Sequence, residues 1–336
     1  MYEKSVVGMF PSLELLGGVQ ASGRDAWRGI VDQIGQQRAC LFGYQPGASK
    51  TLAALSALAR RRPGGILLVW HLHLLKLAPF AAGAAARLVV FLHGIEAWRR
   101  QDGFTRWALG KVNLFLSNSN YTWERFVSFN PAFRDASHET VHLGAGARAS
   151  ESVSAPAAQP VVLMLGRMLR SEDYKGHREM IEAWPRVLEM LPDAELWIAG
   201  DGDLRSALEQ LAHSGSGIRF FGQISEEQKQ DLLARCRCLA MPSRGEGFGL
   251  VYLEAMRLGR PCLVSNQDAG REVVNPPEAG LAVNQDDGSQ LAEATVRLLT
   301  PGQDWEYWSQ AARRRYEAGF TAQHFQRRLN EVLFAV

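Results

Sequence analysis

The sequence predicts an α/β protein of two doubly wound parallel-sheet domains facing a cleft. Short apolar runs alternate with amphipathic segments along the chain, which is the pattern of a parallel sheet covered by helices. The alternation stops once, in residues 144–160, which are rich in Ala, Ser and Gly and indicate a linker. The 336 residues also exceed the size of about 250–300 at which a single hydrophobic core stops growing.

Strand-like apolar runs are predicted on both sides of this linker. Those of the first half are residues 5–10, 39–43, 66–70, 88–92, 112–117 and 140–143. Those of the second half are residues 161–165, 195–199, 218–221, 238–241, 261–265 and 281–283. Helical periodicity fills the intervals and the end of the chain, at residues 288–300, 304–319 and 321–334. We therefore expect domains at residues 1–150 and 151–319, with ligands at the carboxyl ends of the strands.

The net charge of +2 is distributed unevenly along the chain. Residues 1–150 contain 17 Lys and Arg but 9 Asp and Glu, whereas the remainder contains 20 and 26. A basic first half fits an anionic membrane surface or a phosphate-bearing acceptor. Its arginine clusters, Arg60-Arg61-Arg62 and Arg99-Arg100, fit solvated surfaces equally well. We expect no nucleic-acid partner.

The cysteines and the hydropathy bear on the cellular compartment. The four cysteines show no disulfide or zinc spacing, and no signal peptide is evident. Both features favour a cytoplasmic protein. The basic first half adds the expectation that the protein attaches peripherally at the inner membrane face. The most apolar region, residues 66–92, is interrupted by Lys76, Pro79 and Arg87, so no run reaches the ~18–20 residues of a membrane span.

The most informative segment is residues 244–254, where two carboxylates flank a glycine-rich turn. Glu246 lies in the turn, and Glu254 lies about one turn inside the helical pattern that follows. A strand, a glycine-rich turn and a helix start form an anion site from backbone N–H groups. Carboxylates on two sides of an anion site suit a phosphorylated sugar. The residues between them that form the predicted site are Gly247, Phe248, Gly249, Leu250 and Val251.

Two cations follow the strand predicted at residues 161–165. Gly166 and Arg167 come directly after it, and Lys175 comes eight positions later, just before a helical pattern. Two cations in one loop can neutralise a diphosphate and stabilise it as it departs. The alternative is a pair of solvated surface cations.

Gln223 and Ile224 follow the strand predicted at residues 218–221, and Ser225 fits an N-cap for the next helix. The functional interpretation is that their backbone touches a nucleotide base; the structural alternative is only a capped helix. Asp201-Gly202-Asp203 is interpreted as a turn, with Asp203 capping a helix at residues 204–211, in preference to a metal site.

The first half offers weaker candidates. His93 follows the strand predicted at residues 88–92 and stands beside a glycine, so it could face the cleft or serve a structural role. Gly17 and Gly18 follow the first strand and would allow close approach of a phosphate or sugar. His71 and His73 have the same placement as His93, but no third ligand is evident and a metal site is not expected.

Together these motifs resemble retaining glycosyltransferases of family 4, which have the GT-B fold of two Rossmann-like domains. The resemblance is strong over residues 160–275 and weaker over residues 1–145. The family's Glu-x7-Glu motif stands here as Glu246 and Glu254, and its Gly-Arg…Lys-Gly pair includes Arg167 and Lys175. Its first-domain histidine matches His93. At the start of the linker this chain departs from the family, with Leu-Gly-Ala-Gly at 143–146 where many relatives carry Asn-Gly-Val-Asp.

The resemblance implies a role for each position. Glu246 would hold donor-sugar hydroxyls and Glu254 the ribose hydroxyls, while His93 would contact the sugar near its 6-hydroxyl and reacting carbon. Arg167 and Lys175 would hold the diphosphate. Main-chain groups would bind the rest of the donor: Ile224 the base, and Phe248, Gly249, Leu250 and Val251 the sugar and phosphate oxygens. The family's last helix usually returns to the first domain, which suits residues 320–336.

The resemblance also implies the reaction. We expect metal-independent transfer of a hexose from a UDP- or GDP-sugar, with retention, and no cofactor. The acceptor would be a saccharide or a lipid-linked molecule in polysaccharide, O-antigen or glycolipid synthesis. Two alternatives are a phosphorylase of the same architecture, which the ribose-directed Glu254 disfavours, and a non-catalytic partner of another transferase.

Overall fold

The computed structural model describes residues 5–14, 17–44, 47, 49–60, 64–83, 86–146, 155–212 and 217–335. The chain divides into two compact units, Met1–Ala145 with Phe320–Val336, and Gly146–Gly319. Each unit contains a six-stranded sheet whose neighbouring strands all run parallel. The predicted α/β class with two parallel sheets is confirmed.

The first unit contains the sheet formed by the first six strands of the chain. Its strands are β1 (Val6–Pro11), β2 (Ala39–Tyr44), β3 (Ile66–Val69), β4 (Arg87–Leu92), β5 (Leu114–Ser117) and β6 (His138–Thr140). They lie in the order β2-β1-β3-β4-β5-β6. β1 and β3 are buried along their whole length, as expected of central strands in a parallel sheet covered on both faces. The helices are α1 (Gly18–Ile34), α2 (Lys50–Ala59), α3 (Ala78–Ala81), α4 (Gly103–Leu109) and α5 (Asn120–Phe129).

The second unit repeats the architecture. Its strands are β7 (Val161–Leu165), β8 (Glu195–Ala199), β9 (Ile218–Gly222), β10 (Cys238–Met241), β11 (Cys262–Ser265) and β12 (Gly280–Val283). They lie in the order β12-β11-β10-β7-β8-β9, so β7 and β10 are neighbours at the centre of the sheet. The loops after these two strands therefore meet at one edge. The helices are α6 (His177–Met190), α7 (Arg205–Leu211), α8 (Glu226–Arg235), α9 (Leu250–Arg257), α10 (Gly270–Val274), α11 (Gly288–Leu299) and α12 (Gln303–Gly319).

The last helix, α13 (Ala322–Phe334), belongs to the first unit and packs on α1. The Gln326 side chain donates to the backbone oxygen of Asp25 at 2.9 Å, and Asn330 donates to that of Gly29 at 2.9 Å. A Cβ at Gly29 would lie 2.6 Å from Gln326 Cγ. The glycine therefore allows the two helices to approach closely.

The fifth and sixth strands of the first unit were predicted with wrong bounds. The sixth strand is His138–Thr140 and not residues 140–143, because the pairing with β5 ends at Thr140. The apolar side chains of Val141 and Leu143 that suggested a strand are buried beyond the end of the ladder. β5 begins at Leu114 and not at 112, since the Val112 N–H is taken by a turn to the Leu109 oxygen.

The predicted linker, residues 144–160, lies partly outside the described residues, at 147–154. On its first-unit side, the Ala145 N–H donates to the Phe320 oxygen at 3.1 Å. Among the described residues, no helix combines the length and apolar character needed to cross a bilayer.

Candidate active site

The glycine-rich turn after β10 has the geometry that its sequence predicts. Gly249 is the N-cap of α9 and has a left-handed backbone, with φ at 84°. A Cβ there would lie 2.3 Å from the ring of Tyr252, which is fully buried and donates its hydroxyl to the Met241 oxygen at 2.8 Å. Only glycine fits this position. The amides of Leu250 and Val251 open the helix, where backbone N–H groups lack partners within the helix itself.

Polar contacts fix the turn to neighbouring loops. Arg244 pairs with Glu179 at 2.7 Å and also with Asp286. The Glu246 N–H donates to the Asp268 carboxylate at 3.3 Å, and the Ala269 N–H donates to the Glu246 oxygen at 3.1 Å. Burial first, and then the nearby negative charge of Glu246, raise the pKa of Asp268 well above its ordinary value.

The loop after β7 brings Lys175 to the glycine-rich turn. Lys175 Nζ lies 3.6 Å from Glu246 Oε2, and the lysine side chain is 15% exposed. Gly176 makes this approach possible, because a Cβ there would lie 2.5 Å from the Pro242 oxygen and its φ of +84° is left-handed. The structure thus brings Lys175 and Glu246 together across the meeting point of the two central strands.

A third carboxylate, Glu172, joins the two predicted cations. It pairs with the Arg167 guanidinium, and its Oε2 lies 3.7 Å from Lys175 Nζ. The Glu172 side chain is only 12% exposed, whereas that of Arg167 is 71% exposed. Glu172 was not predicted from the sequence. Its spacing of three residues before Lys175 on a short helix was the available signal, since such pairs face one side.

Glu254 forms a second ion pair, with Lys229 of α8. Lys229 Nζ lies 2.7 Å from Glu254 Oε1 and 2.9 Å from Glu226 Oε2. Burial lowers the pKa of Lys229, but its two carboxylate partners outweigh this and raise the pKa above its ordinary value. The other oxygen, Glu254 Oε2, is buried with no hydrogen-bond partner in the structure. Lys229 was also missed, because only the fold brings it to Glu254.

The segment predicted to meet a base follows β9. Gly222 has φ of +67°, and a Cβ there would lie 2.5 Å from Arg205 Nη1, so Gln223 and Ile224 leave the strand beside this guanidinium. The predicted N-cap is confirmed. The Ser225 hydroxyl accepts from the Gln228 N–H at 3.1 Å, and the Ser225 N–H donates to Gln228 Oε1 at 2.8 Å.

The predicted cap at Asp203 is wrong. α7 begins at Arg205, after Leu204, without a side-chain cap. The Asp203 carboxylate instead accepts from the Arg170 N–H at 2.8 Å. It therefore links two segments of the chain and does not cap the helix that follows it. Among the residues that the structure describes, no cluster of His, Cys, Asp or Glu is arranged to hold a metal ion.

The remaining candidates, His93, Gly17 and Gly18, lie in the first unit. His93 Nε2 lies 2.6 Å from the Trp70 carbonyl oxygen, which can only accept, so Nε2 carries the proton. Burial lowers the pKa of His93 to about 4, so the ring is neutral at pH 7 and Nδ1 is its acceptor nitrogen. Gly17 is the N-cap of α1, with φ of 146°, and Gly18 is its first residue.

Comparison with known proteins identifies the family. The family described as "Glycosyl transferases group 1" matches residues 159–301. A GDP-mannose-dependent monoacylated alpha-(1-6)-phosphatidylinositol monomannoside mannosyltransferase of Corynebacterium glutamicum is 30% identical over 277 residues, covering 74% of this chain and 70% of that protein. The chain belongs to the group 1 glycosyltransferases. The predicted membership of family 4 is thereby confirmed.

A second relative of this group 1 glycosyltransferase is more similar over a shorter stretch. The phosphatidyl-myo-inositol mannosyltransferase of Mycobacterium leprae is 36% identical over 145 residues, which cover 43% of this chain and 38% of that protein. The chain therefore matches less than half the length of this relative.

Solved structures confirm the predicted GT-B fold. HepE of Anabaena in complex with UDP-glucose superposes with a TM-score of 0.76 at 17% identity, over 99% of this chain and 100% of that one. The lipopolysaccharide outer core galactosyltransferase WaaB superposes with a TM-score of 0.75 at 14% identity, over 98% and 99% of the two chains. At such low identities the likeness concerns the fold alone.

Proposed function

We propose that this glycosyltransferase moves a hexose from a nucleotide diphosphate sugar to a lipid-linked or saccharide acceptor, with retention at the anomeric carbon. The observation that carries the proposal is the contact of Lys175 with Glu246, at 3.6 Å, where a loop rich in cations meets a helix start. A cation, a carboxylate and helix amides at one point suit a sugar attached to a diphosphate.

Each part of the donor has a candidate partner in the second unit. Arg167 and Lys175 bind the diphosphate, and Glu246 binds sugar hydroxyls. Glu254 accepts from the ribose hydroxyls through Oε2, the oxygen that Lys229 leaves without a partner. Main-chain groups complete the site: Gly166, Gln223 and Ile224 near the phosphates and base, and Gly247, Phe248, Gly249, Leu250 and Val251 near the phosphate and sugar.

We propose donor contacts for His93, Gly17 and Gly18 as well. The neutral His93 ring offers Nδ1 as an acceptor for the sugar 6-hydroxyl, since Nε2 is engaged with Trp70. Gly17 and Gly18 provide backbone that a sugar or phosphate can approach closely. The first unit also serves the acceptor.

The chemical step replaces one bond at the anomeric carbon with another on the same face. The acceptor oxygen bonds to this carbon as the bond to the β-phosphate oxygen breaks, and the acceptor's proton passes to the departing phosphate. The main obstacle is the charge that develops on the leaving diphosphate. Arg167, Lys175 and the amides at the start of α9 stabilise that charge from fixed positions, so they need not reorganise during the reaction.

GDP-mannose and a phosphatidylinositol lipid are the first substrates to test, because the two relatives named above are mannosyltransferases that act on such lipids. UDP-glucose is the second donor, since it is bound in the similar HepE structure. The chain should be incubated with each donor and phosphatidylinositol vesicles, and the product's anomeric configuration read by NMR. Retained configuration supports the proposal. An inverted product, or no transfer from any nucleotide sugar, contradicts it.

Attachment to an anionic membrane surface is part of the proposal. The α4 side chains Phe104 and Trp107 are 48% and 52% exposed, and their ring centroids are 5.5 Å apart. Arg106 stands between them in the sequence, so aromatic and basic groups combine as at an interfacial helix. Trp107→Ala should weaken sedimentation with phosphatidylinositol-containing vesicles at low salt. The control Tyr307→Ala, which alters an aromatic of similar exposure in the second unit, should not.

A further inference from the structure

The two cations proposed to bind the diphosphate are already neutralised by a carboxylate of this chain. Glu172 is paired with Arg167 and lies 3.7 Å from Lys175. Glu246 lies 3.6 Å from Lys175 on its other side. Two positive and two negative charges therefore meet in one loop cluster, and a diphosphate entering it competes with Glu172 for the same partners.

Lys175 keeps its place by contacts other than Glu172. Its Nζ lies 5.8 Å from the centre of the Tyr174 ring. The Glu246 contact adds a further anchor. Lys175 therefore has two neighbours besides Glu172, and we expect the main effect of Glu172 on the site to be its charge.

The negative potential around this loop is also felt by Tyr174. Burial first, and then the charges of Glu172 and Glu246, raise the pKa of Tyr174 above its ordinary value, against an opposing effect of Arg167.

We propose that Glu172 is an internal counterion of the diphosphate site, which must release Arg167 and Lys175 when the donor binds and which recovers them when the nucleoside diphosphate leaves. This inference rests on the proposed function. Its consequence is that Glu172 weakens the binding of donor and product alike. A side chain that is 12% exposed and loses its cation partners carries an energetic cost. That cost reduces the binding free energy of every diphosphate that occupies the site.

The test is the affinity of the Glu172→Gln variant for GDP and UDP, measured by isothermal titration calorimetry. Removing the Glu172 charge, which lies 3.7 Å from Lys175 Nζ, should tighten diphosphate binding about tenfold, since these two side chains are only 12% and 15% exposed. Guanosine and uridine, which lack phosphates, should bind as they do to the wild type. In steady-state kinetics the KM for the donor should fall without a rise in kcat, because donor and transition state gain equally.

Matched variants separate charge from structure. Asp173→Asn removes a charge from the adjacent residue, whose carboxylate pairs with Arg178 at 3.9 Å, and should leave diphosphate affinity unchanged. Glu172→Ala should change the affinity in the same direction as Glu172→Gln, so that the test survives if one variant folds poorly. Glu172→Asp retains the charge and should bind diphosphates closer to the wild-type affinity than the neutral variants do.

If both neutral variants bound diphosphates as weakly as the wild type or more weakly, the inference would be overturned. The proposed function would still stand if the wild type bound GDP or UDP. If the wild type bound no nucleoside diphosphate, the inference and the proposed function would both fail.

Discussion

Lys229 Nζ lies 2.7 Å from Glu254 Oε1, while the second carboxylate oxygen of Glu254 is buried and has no hydrogen-bond partner among the residues that the structure describes. The two residues stand 25 positions apart, on α8 and α9. One oxygen is thus paired with the lysine, and we propose that the other accepts from a ligand. In the proposed function that ligand is a ribose hydroxyl, and Lys229 is a positioning residue that orients the carboxylate.

The first prediction concerns this pair. Lys229→Met should weaken GDP binding about 5- to 20-fold, because a charge-assisted hydrogen bond that orients Glu254 is lost. It should also reduce the preference for GDP over 2′-deoxy-GDP, which a purely structural defect would not change. Titration calorimetry with both nucleotides measures the effect.

The control for Lys229 is Glu226→Gln. It removes the other partner of the lysine, a carboxylate that is 73% exposed, and leaves the bond to Glu254 intact. Its nucleotide preference should match the wild type. An unaltered preference in Lys229→Met would argue that Lys229 does not act through Glu254.

Lys175 should be needed for turnover. Lys175→Ala should lower kcat/KM for the nucleotide sugar about 10²- to 10³-fold, because a group that opposes charge on the leaving diphosphate is removed. The matched variant is Arg178→Ala, which removes a nearby cation that is 39% exposed and paired with Asp173 at 3.9 Å. It should retain its turnover. Near-wild-type turnover in Lys175→Ala would remove the lysine from the mechanism.

Gly249 is predicted to be irreplaceable on steric grounds. In Gly249→Ala the new Cβ would lie 2.3 Å from the buried Tyr252 ring, at a φ of 84°. The free energy of unfolding should fall by about 1–3 kcal/mol, with loss of nucleotide binding, because the turn must shift. Gly319→Ala is the control, since no atom of the described part of the chain lies within 4 Å of its added Cβ. Urea unfolding of both variants tests this, and equal stabilities would contradict it.

The stability of the first unit should depend on pH through His93. Burial lowers the pKa of His93 from 6.5 to about 4, so the folded state binds its proton less readily than the unfolded state. The contribution of the neutral ring to stability is complete above pH 6.5 and is lost as the pH falls towards 4, up to about 3 kcal/mol.

The comparison that isolates this group is wild type against His93→Gln. Urea unfolding between pH 7.5 and 4.5, followed by circular dichroism, should show a steeper loss of stability on acidification in the wild type. Parallel curves for the two proteins would show that His93 does not titrate as its burial requires. Because the two proteins share all their other titratable groups, the difference between their stability curves reports on His93.

The elements that the sequence predicted best are the fully buried strands. Val161–Leu165 and Cys238–Met241 are buried along their whole length and match their predicted bounds, because a central parallel strand appears as one continuous apolar run. The boundary at β6 failed for the converse reason. Val141 and Leu143 are apolar and buried, yet they lie beyond the ladder, and burial alone does not distinguish a strand from the segment after it.

The glycine-rich turn was predictable and its polar supports were not. A glycine in the turn at 249 signals a backbone that no side chain permits, which is a local property of the chain. Asp268 and Lys229 are ordinary charged residues in sequence, and only the meeting of distant segments gives them their partners. Asp268 accepts from the Glu246 N–H, 22 positions away, and nothing local to Asp268 indicates this.

The most direct test of the account is titration of GDP and UDP into the wild type and Glu254→Ala, with and without EDTA. The account predicts that the wild type binds one of the two nucleotides, that EDTA has no effect, and that Glu254→Ala loses about 1.5–3 kcal/mol of binding free energy as its ribose contact disappears. Binding that EDTA abolishes, or that Glu254→Ala leaves unchanged, would contradict the proposed donor site.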